Sequence, residues 1–157
     1  MEMIGIWGEF LGGLGVIASL VFLAHQIRVS NKLSIAATER EVMGNFSSLN
    51  ELFMGNNEAS NLMAKLTDPN TDFDKPQTEK ARAFVRRLDN AWIAADESHR
   101  QGVLTDNTYE LLRDDVQMVL LTYPSIQPFV NEFLGFYPTS RGLLGYAGEV
   151  LKEANPL

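Results

Sequence analysis

The sequence predicts an all-α protein, with one N-terminal transmembrane helix followed by a small antiparallel helical bundle. Three observations carry that fold class. Residues 10–24 read FLGGLGVIASLVFLA, a run without a charge and apolar on every face. Beyond it, apolar residues recur at intervals of three and four, and no convincing strand pattern interrupts them. Glycine and proline then divide the helical pattern into segments short enough to fold back on one another. The expected organisation is an anchor helix over 1–31 and one helical bundle over 32–157.

The apolar stretch extends from Ile4 to Ile27, with Glu9, His25 and Gln26 as its strongly polar interruptions. About 24 residues at about 1.5 Å each match a hydrocarbon core about 30 Å thick. A cleaved signal peptide wants a basic leader, whereas MEMIGIWGE holds two acids and no Lys or Arg. The core helix of a soluble protein usually supplies an apolar run of only about 10 to 14 residues, and the flanks here lengthen the run to spanning size. Arg28 and Lys32 follow the span and no basic residue precedes it. The positive-inside rule therefore places the N-terminus outside and the C-terminal domain in the cytoplasm.

Trp7 suits one interfacial belt, and His25, Gln26 and Arg28 suit the opposite headgroups. Glu9 falls about one turn inside the outer boundary, where it reads as an interfacial carboxylate; pairing with a cation on a neighbouring helix is the sharper alternative. His25 reads as an interfacial polar residue, with axial ligation of a haem or pigment as its alternative. Gly8, Gly12, Gly15 and Ser19 share one helix face, with Gly13 and Ala18 off it. Such small residues let two backbones approach closely and gain contacts that lipid tails do not supply. The expected partners are membrane lipids and, through this seam, another membrane protein or a second copy of the chain.

After the span, Ile35, Val42, Phe46, Leu49 and Phe53 continue a helical rhythm directly from the anchor, and Gly55 to Asn57 end it. A short helix follows over 58–66. The segment TDPNTDFDKPQ then breaks regularity with two prolines and four Asx residues. The clearest stripe comes next, in Ala81, Phe84, Val85, Leu88, Trp92 and Ala95, with Pro76 near its start and Gly102 as its stop. Thr105 caps another helix, whose buried face is Tyr109, Leu112, Val116, Val119 and Tyr123; Pro124 closes it. Ile126, Phe129, Val130, Phe133 and Leu134 form a short helix that holds Pro128 in its first turn. Past Gly135 and Pro138, Leu143, Leu144, Ala147, Val150 and Leu151 make a last amphipathic helix.

Composition bounds the chemistry. The 157 residues carry a net charge of −7, which repels phosphate backbones and argues against nucleic acid. There are no cysteines, so disulfides, thiolate metal sites and a cysteine nucleophile are excluded. Asp96 and His99 have the i, i+3 spacing of a metal-binding helix, but a di-metal bundle needs a second such pair, and both read as surface residues near a helix end. Asp114 and Asp115 are adjacent, so their side chains diverge and make a poor acid–base pair. Lys80, Arg82, Arg86 and Arg87 form a basic cluster that either meets anionic headgroups or, with Glu79, Asp89 and Asp96 on the same helix, makes a solvated face. The solvated face is the default. No phosphate loop, nucleophile elbow or His-Glu-x-x-His helix occurs, so no catalytic residue, metal site or cofactor is expected.

The run GGLGVIASLVFLAHQIRVSN over 12–31 resembles the opening of a large group of small, uncharacterised bacterial single-pass membrane proteins. There, a Gly/Ala-rich apolar helix ends in Gln-Ile-Arg and leads into an all-helical domain. Glu79, Arg82, Phe84, Trp92, Arg100, Gly102 and Leu104 are similar to that group's second landmark, an aromatic-bearing helix ended by Gly-x-Leu. The resemblance runs to about Tyr109; His25 and the proline-broken C-terminal third depart from it. It implies an anchor-plus-bundle architecture in a bacterial inner membrane and brings no activity to carry over. The leading expectation is a non-catalytic accessory or scaffold subunit of a membrane assembly. A membrane-anchored sensor or small-molecule-binding domain is the alternative, and a solid apolar core around Phe84, Trp92 and Val116 would count against a pocket inside the bundle.

Overall fold

The computed structural model describes residues 2–54, 57–137 and 141–155, with side chains over 12–48, at 51, and over 57–137 and 141–155. Helices account for nearly all of these residues, and no strand occurs among them. In chain order they are α1 (Glu2–Met54), α2 (Asn57–Leu66), α3 (Lys75–Arg100), α4 (Asp106–Thr122), α5 (Gln127–Leu134) and α6 (Gly142–Ala154). A turn of 3₁₀ helix, Pro124–Ile126, leads into α5. Contacts divide the chain into two units, Met1–Ala37 and Thr38–Leu157.

The first unit is the N-terminal part of α1. One helix runs through residue 32 without a break, as the uninterrupted periodicity there anticipates. Every residue from Gly12 to Ser34 is exposed.

The second unit is the bundle. α3 is its longest element, and its boundaries follow from local chemistry. Asp74 accepts a hydrogen bond from the Gln77 amide at 2.8 Å while the Gln77 side chain accepts one from the Asp74 amide at 3.3 Å, a reciprocal capping box. Pro76 sits in the first turn, where its missing N–H costs nothing. At the other end Gly102 takes φ +72, and the amides of Gly102 and Val103 return to the carbonyls of His99 and Ser98. That is a Schellman stop, which needs a residue without Cβ strain at the left-handed position.

All six residues of the α3 stripe are buried, and Trp92 and Ala95 are completely so. α6 packs against α4 and α3, and α5 against α3 and α6. The expected face of α6, from Leu143 to Leu151, is buried throughout; on α4 Leu112, Val116 and Val119 are buried, with Tyr109 and Tyr123 half-buried. Each such aliphatic side chain contributes about 1.5–3 kcal/mol of apolar transfer. Val42 is the first residue of α1 to enter this core, and Phe46 packs against it. Leu49 and Phe53 lie outside the described side chains. Ile126, expected in the short helix, sits fully buried in the 3₁₀ turn before α5, because Pro124 and Pro128 each demand a helix start.

Candidate functional site

The apolar part of α1 is the first candidate. Leu20, Val21 and Phe22 are 59%, 65% and 62% exposed, and the neighbouring Leu14, Val16, Ile17 and Leu23 are exposed as well. This stretch lies within one helix that is long and apolar enough to cross a membrane, and none of its apolar window is buried. Of the small-residue seam, Gly12, Gly15 and Ser19 are exposed; a Cβ added at either glycine meets nothing within 4 Å. The Ser19 hydroxyl donates to the Gly15 carbonyl at 2.8 Å, so its polarity is satisfied inside the helix. Gly8 and Glu9 lie outside the residues whose side chains are described. His25 is exposed.

A second polar grouping joins the ends of three bundle helices, and here the surface reading of Asp96 and His99 is corrected. Asp96 is half-buried. It accepts from the Tyr109 hydroxyl at 2.6 Å and from the Leu143 amide at 3.0 and 3.1 Å. A carboxylate on α3 thus caps the N-terminus of α6, whose own Arg141 offers no side-chain cap. Gly142 stands at φ +62, and a Cβ there would fall on the Asp96 carboxylate. His99 stacks on Tyr109 with ring centroids 4.0 Å apart, and its Nε2 lies 2.9 Å from Asp106 Oδ1. Burial first, then the hydrogen bond to Asp96 and its charge, pushes the Tyr109 hydroxyl up, so it remains a donor. Asp96 and His99 are thereby committed to the helix junction.

Beside this junction Glu39 reaches across from α1. Its carboxylate accepts from the hydroxyl of Thr105, the residue that caps α4, and from the Thr108 hydroxyl at 2.8 Å. Those two hydrogen bonds, Thr105 first, hold the Glu39 carboxyl below its ordinary range. Nothing in the sequence marks Glu39, because its partners lie more than sixty residues away.

Asp89 is a further correction. Grouped by sequence with a solvated charged face, it is 0% exposed, and neither carboxyl oxygen finds a hydrogen-bond partner among the described residues. The indole N–H of Trp92, three residues on along α3, is likewise buried with no hydrogen-bond partner among the described residues. Burial pushes the Asp89 carboxyl up to about 7. The spacing held the signal: Asp89 follows the stripe residue Val85 by four and precedes Trp92 by three. Asp115 is half-buried, which also raises its carboxyl, whereas Asp114 is exposed.

The basic cluster divides by its contacts. Lys80 pairs with Glu58. Arg82 meets Glu79 and Glu132, each at 3.3 Å, and lies 5.9 Å from the centre of the Phe129 ring. Arg86 and Arg87 border a surface cleft of about 410 Å³ between α3 and α5. Phe84, Trp92 and Val116 belong to one continuous apolar core, so this cleft lies beside the core and not inside it. No protein-family model, curated protein or solved structure matches this chain.

Proposed function

We propose that this protein is a membrane-anchored, non-catalytic accessory or scaffold subunit. The observation that supports it is the exposure of α1 from Gly12 to Ala24, an apolar surface that water solvates poorly and hydrocarbon solvates well. In this reading the span enters a bacterial inner membrane once, as in the small bacterial proteins it resembles. Arg28 and Lys32 stay with the cytoplasmic leaflet, and the acidic bundle faces cytoplasmic partners. Gly8, Gly12, Gly15 and Ser19 form the side on which a second helix packs.

The first test is extraction. The full chain is expected to float with membranes and to resist alkaline carbonate, and release into the soluble fraction overturns the anchor. A protease-accessible tag at each terminus reads the orientation. For the seam, Gly12→Leu with Gly15→Leu is expected to lower recovery of co-purifying membrane proteins, or of a differently tagged second copy, in mild detergent. Unchanged recovery removes the seam and leaves the anchor standing.

A further inference from the structure

The cleft between α3 and α5 has two chemically distinct parts. At one, Arg82 engages both carboxylates that line the cleft, those of Glu79 and Glu132. In the other part, the side chains of Arg86, Arg87 and Asn90 have no hydrogen-bond or ion-pair partner among the described residues. The facing wall is aromatic: Phe129 and Phe133 are half-buried, and Phe136 is 75% exposed. Arg87 also borders a shallower cleft beside Asn45 and Ser48, which leaves Arg86 as the cation given over to the first. A volume of about 410 Å³ falls within the range of small-molecule sites.

We propose that this cleft binds a small carboxylate with an aromatic or alkyl body. The guanidinium of Arg86 offers paired N–H donors matched to the two oxygens of a carboxylate, and Arg87 adds positive charge to the same lining. The apolar body lies against the phenylalanine rings, where offset or edge contacts add to the burial of area. Three arginines against two glutamates leave the lining with one net positive charge, which a monoanion neutralises. This positive surface runs against the net charge of −7 carried by the chain. The inference is independent of the membrane anchor, because all of these residues belong to the bundle.

The test uses the full chain in phosphatidylcholine nanodiscs, titrated calorimetrically with naphthoate and, separately, with its uncharged counterpart naphthylmethanol; empty nanodiscs serve as the blank. Naphthoate is expected to bind saturably and at least about tenfold more tightly than the alcohol. Arg86→Gln with Arg87→Gln is expected to remove that preference while leaving the thermal unfolding of the bundle in place, since both positions are exposed. Phe133→Leu, which keeps apolar volume but loses the ring, is expected to weaken both ligands. Absence of saturable naphthoate binding, equal affinity for acid and alcohol, or an unchanged preference in the arginine variant each overturns the proposal.

Discussion

Asp89 places a buried ionisable group where no described residue partners it, and the consequence is a stability that depends on pH. The folded carboxyl titrates near 7 instead of near 3.8, so the folded state holds a proton that the unfolded chain releases. Stability is fully present below the unfolded value and is lost as pH rises through the folded one. The full change is about 4 kcal/mol at most, from about 1.36 kcal/mol per pKa unit. Urea unfolding of the full chain in a neutral detergent, followed from about pH 3.5 to 8.5, is expected to show that loss, most of it between the unfolded and folded values; Asp89→Asn is expected to flatten the profile and raise stability at the alkaline end. A wild-type profile that stays flat through this range contradicts a neutral buried Asp89. The two left-handed glycines give a second residue-scale prediction. Gly102→Ala meets open space and costs only backbone strain, about 1 kcal/mol. Gly142→Ala adds a collision with the Asp96 carboxylate and is expected to cost about 2–4 kcal/mol, read from the shift in denaturation midpoint.

At the scale of elements, the helices are legible where the chain carries its own punctuation. The α3 stripe lies under a capping box and ends in a Schellman stop, so period and boundary signals agree. Asp74→Ala is expected to destabilise the bundle by about 1 kcal/mol, and Asp74→Ser to recover most of it; equal stability of all three proteins removes the cap from the account. The interactions that join elements were not legible. Asp96 reaches an amide on α6, and Glu39 reaches hydroxyls at the start of α4. Such pairings depend on which helix ends meet in space, and a hydrophobic period specifies faces without specifying neighbours. Asp89 is hard to read for a different reason: its charge suggests solvent, although one turn in either direction leads to a buried apolar residue.

For the whole molecule, the division between the two units follows where apolar side chains find cover. From Val42 onward one stripe of each described helix with an apolar face is packed by other helices, whereas from Gly12 to Ser34 no apolar side chain is covered. A membrane anchor is therefore sensitive to charge at the middle of the Ile4–Ile27 span. Val16→Arg with Ile17→Arg adds about 2.5–3.5 kcal/mol per charge to insertion at a helix centre, and the carbonate-resistant fraction is expected to fall sharply. Thermal unfolding of the bundle is expected to stay unchanged, since both side chains point into open surroundings. Loss of bundle stability in that variant would assign the stretch a structural role instead.

The Asp96 carboxylate fills the space that every other amino acid at position 142 reserves for its Cβ. Neither position is then free to drift alone across evolutionary time. A descendant that gains a side chain at 142 must shorten or withdraw the acid at 96, and in doing so uncovers the first turn of the final helix. Related sequences are expected to keep the pair or to lose both members together.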